Sequence, residues 1–257
     1  MNSNIDDSTS VNFGGVWFRG TRKENLFPEQ SKFKFVVTAN ADFIVSSWND
    51  KRFRQIISEN YTTFDGQITW WLGCLLGRPR GRKIEKISGS SFAHDLLVFA
   101  SQHKQRVFFL GGESDVNATA VSISHAKYGV DVQGYSPEYE RYPVSAAWNQ
   151  KVLNEIAKQR PHILLVALGA PKQEYWIDDN KEILEKMGVQ LAIGCGGTLD
   201  FLAGKFPRAP LLVQRIGMEG VFRLLVQPSG FRLKRLVRSL LVFPIAAISY
   251  FRPVSSR

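Results

Sequence analysis

The residues Gly169-Ala170-Pro171-Lys172-Gln173-Glu174 directly follow the apolar run 163–168 and directly precede an amphipathic helical pattern. That order predicts a strand, a tight turn and a helix start. Pro171 suits the first helical position, where a missing amide hydrogen costs nothing, and Gly169 lets backbone come close to a ligand. A helix N-terminus favours negative charge and Lys172 adds a cation, so a phosphate or an acidic sugar is the natural guest. A plain strand-to-helix connection carries the same signature, so the turn gains meaning from its company. Four other apolar runs also end in small or polar residues: Thr38-Ala39-Asn40, Asp65-Gly66, Gly111-Gly112-Glu113 and Gly194-Cys195-Gly196-Gly197-Thr198.

Positioning these groups is the task of an α/β sheet. Short apolar runs at 33–37, 61–64, 106–110, 130–133, 162–168 and 190–193 read as strands. Helical patterns at 114–128, 145–160 and 171–186 alternate with them, which predicts a Rossmann-like, mostly parallel sheet flanked by helices. In such sheets ligands sit beyond the carboxyl ends of the strands, where this punctuation falls. Some chemistries lose ground. No Gly-x-Gly-x-x-Gly opens the first βα unit and no Gly-Lys-Ser/Thr loop appears, against a nicotinamide dehydrogenase or a P-loop ATPase. The four histidines, 94, 103, 125 and 162, are scattered and read as structural or solvent-facing, with no metal-ligand spacing.

The organisation predicted is a disordered tail at 1–12, a core at 13–207 and a basic helical appendage at 208–257. The tail has polar residues and two aspartates where a signal peptide would need a basic start and an apolar stretch. Cys74 and Cys195 are the two cysteines, without a partner framework, which predicts buried thiols in a reducing compartment. The net charge of +10 is held mainly at one end: residues 208–257 carry +8, leaving +2 for the rest. Charge confined to one segment points to a local anionic partner, which could be lipid, pyrophosphate or RNA, more than to a fold-wide nucleic-acid surface; with no RNA-recognition motif evident, no nucleic-acid partner is expected. The apolar run 240–251 has 12 residues interrupted by Pro244, short of the roughly 20 that a spanning helix needs, and so is expected to lie on a bilayer, with a helix packed on the core behind a solvated basic face as the alternative.

Read in order, the motifs resemble the WecG/TagA/CpsF family, glycosyltransferase family 26. They are Thr38-Ala39-Asn40, Asp65-Gly66, Ile87-Ser88-Gly89-Ser90, Phe109-Leu110-Gly111-Gly112, the Gly169 to Glu174 turn, Gly196-Gly197 with Phe201 and Ala203-Gly204, Arg208-Ala209-Pro210, Met218-Glu219 and Phe222-Arg223. The similarity runs from about 15 to 240. Phe64 stands where the family usually has proline, and Lys86 and Ser91 where arginine and aspartate are usual.

The resemblance implies an inverting glycosyltransferase that moves a hexose or N-acetylhexosamine from a UDP-sugar to a polyprenyl-pyrophosphate-linked saccharide in bacterial envelope or exopolysaccharide synthesis. N-Acetylmannosamine, its uronic acid and glucose stay open as the sugar. Such a transfer needs a base for the acceptor hydroxyl, and Asp65 is the residue the family uses; the same aspartate could instead cap the helix that starts at Gln67. Thr38 and Asn40 are expected beside it as sugar-binding groups, or as caps for a helix starting near Ala41. Gln173 is preferred over Glu174 as a contact to sugar or phosphate. Charge on the leaving diphosphate must be met by a metal or by protein donors. Lacking an Asp-x-Asp motif, the chain is expected to be metal-independent, with no cofactor, using amides near Gly111-Gly112 and Gly196-Gly197 and the arginines Arg223, Arg232 and Arg235. The expected location is the inner face of the cytoplasmic membrane, held by its anionic surface, with a homo-oligomer left open. A non-catalytic scaffold binding nucleotide-sugar or lipid-linked sugar is the alternative.

Overall fold

The structure is a computed structural model that describes residues 10–30, 32–77, 83–207 and 209–251. In chain order its elements begin with β1 (Val11–Phe13), β2 (Val16–Phe18), β3 (Lys34–Ala39), α1 (Ala41–Asn49), α2 (Lys51–Glu59), β4 (Tyr61–Phe64), α3 (Gln67–Gly77) and α4 (Gly89–Gln102). There follow β5 (Arg106–Gly111), α5 (Ser114–Tyr128), β6 (Asp131–Tyr135), α6 (Ala146–Gln159), β7 (Ile163–Ala167), α7 (Lys172–Lys186), β8 (Leu191–Gly194) and α8 (Thr198–Leu202). The chain closes with α9 (Leu211–Arg215), α10 (Glu219–Val226), α11 (Gly230–Ser239) and α12 (Val242–Phe251). A six-stranded sheet runs in the order β4-β3-β8-β7-β5-β6, and the pairs β3–β4, β8–β7, β7–β5 and β5–β6 are parallel. All six strands fall at the runs the sequence predicts, with ends displaced by up to two residues.

Two compact units divide the chain. One comprises Met1–Leu26, Val36–Ser88 and Arg208–Arg257. Its β1–β2 hairpin buries Phe13 and Phe18, and Phe18 stacks on Phe64 with ring centroids 4.0 Å apart. Phe64 thereby fills a core position where a proline ring would offer much less surface. Asn40 and Asp50 start α1 and α2 by accepting amide bonds at the helix N-termini, the usual service of these residue types. At the C-terminal end, α11 packs on α1, and α12 packs on α1, α3 and β1. Val242, Ile245 and Ala246 are buried there, and the Gly14 amide donates to Ser249 Oγ at 2.8 Å. The hairpin corrects the expected tail boundary, because Val11 and Asn12 belong to β1; residues 1–9 lie outside the described residues. The C-terminal segment is helical as expected, yet its last helix is part of this unit's core. Among the described residues, no helix is long and apolar enough to cross a membrane.

The other unit comprises Phe27–Phe35 and Gly89–Pro207. The apolar strands β5 and β7 are buried along almost their whole length, as parallel strands covered on both faces must be. Ser145 caps α6 through its hydroxyl, and Gly129 ends α5 in the left-handed conformation with its amide on the His125 carbonyl. Lys34 is buried but paired, donating to the Phe27 carbonyl at 2.8 Å and to Glu29 at 2.5 Å. Its ammonium holds the Glu29 carboxyl below the usual carboxylate range.

Candidate active site

Within the first unit, β3 and β4 end side by side, with Thr38 opposite Thr63 and Ala39 opposite Phe64. The Asp65 amide donates to the Ala39 carbonyl at 3.0 Å, so the aspartate is fixed at the end of this strand pair. Its side chain is partly exposed. The first helical bond of α3 runs from the Trp70 amide to the Gly66 carbonyl, which makes Gly66 the cap position and puts Asp65 one residue before it. Asn40 does cap α1, its Oδ1 accepting from Asp42 N at 3.0 Å and Phe43 N at 3.3 Å, which leaves its Nδ2 to address a ligand. Thr38 is 7% exposed.

Two residues that the sequence reading passed over shape the edge of this cluster. Asp42, in the first turn of α1, is 8% exposed and takes two guanidinium groups. Arg235 Nε donates to Oδ2 at 2.8 Å, and Arg238 Nε donates to Oδ1 at 2.6 Å. Arg235 was expected to face a diphosphate; here it binds Asp42, as does Arg238, which was not singled out. Arg223 and Arg232 are partly exposed on α10 and α11. The available signal was Asp42 at a helix N-terminus, which reads as a response to the helix dipole and says nothing of a partner nearly 200 positions away.

Within the second unit, the glycine turns meet the protein's own groups. Gly111 has φ of +93°, and a Cβ there would lie 2.7 Å from the Ala167 carbonyl oxygen, so only glycine fits between β5 and β7. Its carbonyl accepts from Asn117 Nδ2 at 2.7 Å and from Ser136 Oγ at 3.1 Å, while the Gly112 amide donates to Ala167 O at 3.0 Å. Gln173 is 2% exposed: its Nε2 donates to Glu174 Oε1 at 2.7 Å and its Oε1 accepts from the Gly196 amide at 3.2 Å. The side chain preferred as a ligand contact is therefore a brace between the first turn of α7 and the turn after β8. Glu174 is wholly buried behind it, and a Cβ on Gly194 would come within 2.6 Å of its Oε1. The Gly112 and Gly196 amides are thus engaged within the protein, and Gly197 stands at the cap position of α8.

The Gly169 to Glu174 turn also differs in detail from expectation. Pro171 occupies the cap position, one residue before α7. Lys172 turns away from an anion site, donating to the Glu140 carbonyl with its Nζ 4.8 Å from the Trp148 ring centre and 5.2 Å from that of Tyr139. Burial lowers its pKa from the usual 10.5, and the Glu140 charge opposes that shift. Cys195 is buried, which pushes its thiol up to about 12 with the Glu174 charge acting the same way; Cys74, expected to be buried, is half-buried. Among the described residues no three His, Cys, Asp or Glu come together as metal ligands. His125 and His103 contact the carbonyls of Val130 and Phe99, and His162 Nδ1 accepts from the Arg106 amide at 3.0 Å.

Set beside known proteins, the sequence is that of a glycosyltransferase. The profile of the Glycosyl transferase WecG/TagA/CpsF family matches residues 16–256, and the chain belongs to that family. It is similar to the N-acetylglucosaminyldiphosphoundecaprenol N-acetyl-beta-D-mannosaminyltransferase of Bacillus spizizenii (strain ATCC 23059 / NRRL B-14472 / W23), 29% identical over 211 residues, 81% of this chain and 77% of the relative. The protein of the same name from Bacillus subtilis (strain 168) is 27% identical over 218 residues, 83% of this chain and 79% of the relative.

Proposed function

We propose that this enzyme transfers a hexose or N-acetylhexosamine, with N-acetylmannosamine first among the candidates, from a UDP-sugar to a saccharide on a polyprenyl pyrophosphate. The names of the two relatives, which join an N-acetylmannosaminyl group to an N-acetylglucosaminyl-diphospho-undecaprenol, support both sugar and acceptor. In the proposed step the acceptor hydroxyl oxygen forms a bond to the anomeric carbon as the bond from that carbon to the UDP oxygen breaks. UDP leaves with the electron pair, Asp65 takes the hydroxyl proton, and the anomeric centre inverts. The observation that carries this reading is the placement of Asp65, anchored through its own amide to the end of β3 and partly exposed there.

Thr38 and Asn40 Nδ2 are the sugar-facing groups beside the base. The charge growing on UDP is met by cations of α10 and α11, with no metal ion required. The outward Leu211, Leu212, Leu225, Phe231 and Phe251, on helices that also carry half of the net charge, support reversible docking on the inner face of the membrane. The test is turnover of UDP-N-acetylmannosamine with N-acetylglucosaminyl-diphospho-undecaprenol in vesicles, with and without EDTA. Asp65→Ala is expected to lower kcat by about 10²- to 10⁴-fold while thermal unfolding stays the same. Near-normal turnover in that variant would remove Asp65 as base.

A further inference from the structure

The helix that leaves the candidate base is built inside out. From Gln67 to Gly77, α3 contains no charged residue, yet its buried positions are Gln67, Thr69, Gly73 and Gly77. Two of its large apolar side chains point the other way: Trp71 is 49% exposed and Leu75 43%. An ordinary surface helix does the reverse, burying its large apolar stripe and showing charge to water. The inward choice has a local cause. Gly73 faces the ring of Phe64, which leaves no room for a Cβ, so α3 lies close against the end of β4 through its smallest residues. Among the described residues, no such contact accounts for the outward choice. Trp71 and Leu75 are four residues apart and therefore neighbours on one face.

That face has apolar neighbours of its own. The turn between α9 and α10 rests beside it, since a Cβ on Gly217 would lie 3.0 Å from Ile68 Cγ1, and α12 packs against the same helix. Leu211 and Leu212 on α9 and Phe243 on α12 are themselves exposed. Exposed cations flank the helix in the chain and in the neighbouring turn: Lys83 and Lys86 after α3, with Lys86 Nζ donating to Gln67 Oε1 at 3.0 Å, and Arg215 two residues before Gly217. We infer that α3 is a bilayer-contact element, with Trp71 and Leu75 entering the boundary between headgroups and acyl chains of an anionic membrane. The inference rests on the docking reading above and extends it from the C-terminal helices to a helix of the catalytic core. Charge selects the occupant. A second copy of the chain laid on this face would bring the same cations against each other, whereas an anionic lipid surface pairs with them. Tryptophan is also the side chain that suits a membrane boundary, with an apolar body and a polar N–H.

A consequence for the reaction follows from chain geometry. Trp71 lies about 6 Å along the helix axis from Gln67, so the depth at which it sits sets the height of the adjoining Asp65 above the lipid.

The test uses the full chain and vesicles of phosphatidylcholine with or without phosphatidylglycerol, and needs no donor sugar. W71S/L75S is expected to bind phosphatidylglycerol vesicles about tenfold or more weakly than the parent, with unchanged unfolding temperature because both side chains are exposed. Should the double variant fold poorly, W71Q alone serves the same comparison. Brominated acyl chains are expected to quench the fluorescence that W71F loses. Parent and variant binding vesicles equally, or no quenching of that component, overturns the inference while leaving docking by the C-terminal helices intact. A variant that alters oligomeric state in the absence of lipid, with vesicle affinity unchanged, also overturns it in favour of a second copy. If the parent itself ignores both kinds of vesicle, the docking reading falls with it.

Discussion

Asp42 shows how much a single carboxylate can organise. It is nearly buried, and both of its oxygens are taken by guanidinium groups that are about a third exposed. Removing it leaves two arginines that water can still reach, so the penalty is moderate. Asp42→Ala is expected to cost about 1–2 kcal/mol and to raise hydrogen exchange in α11, measured by denaturant unfolding and mass spectrometry. At this scale the sequence was legible where a residue acts through its neighbours in the chain. Asn40 as a helix cap and Asp65 before Gly66 follow from local order. It was illegible where the partner is remote: nothing around Gln173 announces that its amide will brace Gly196, 23 residues on, and nothing around Asp42 announces Arg235. The expectation of backbone donors at Gly112 and Gly196 met the same obstacle, because whether an amide is engaged depends on what the fold brings opposite it.

Strands and long helices were the most legible elements. Runs such as 162–168 are apolar throughout because parallel strands are covered on both faces, and α5 ends at a glycine that can adopt φ of +62°. The β1–β2 hairpin escaped notice because its strands have three residues each, too short for a period to register. The basic C-terminal segment reads from sequence as an appendage, since its polarity pattern changes abruptly. Packing makes α12 less separable, for it buries Val242, Ile245 and Ala246 and contacts α1, α3 and β1. Deleting residues 208–257 is therefore expected to lower hydrogen-exchange protection in β1, β2 and α1, besides weakening lipid binding. Protection unchanged in those elements would make the segment a detachable module. Point substitutions on the outward faces of α3 and α11 are accordingly the cleaner way to separate docking from folding.

Over the whole molecule, one titrating group gives stability a direction with pH. His162 sits before β7 with Nδ1 accepting the Arg106 amide, a bond that needs the neutral ring. Burial, helped by the Arg106 charge, lowers its pKa from 6.5. The unfolded chain then binds a proton before the folded one does, so this contribution is complete above about pH 6.5 and fades as pH falls toward the folded value. The unfolding temperature is expected to decline on acidification through that window, with a shallower decline in His162→Gln; equal slopes would assign the pH dependence to other groups. The bond between the Gly14 amide and Ser249 Oγ carries a different implication, one about time. The first unit is assembled from three stretches of chain, the last reaching the C-terminus, whereas the second lies almost wholly within one continuous stretch. During synthesis the second unit has all its residues once Pro207 has emerged, whereas the first must wait for α12. A nascent chain that has just completed the second unit therefore still lacks the helix that packs on β1, α1 and α3, and the candidate base stands in the unit that closes last.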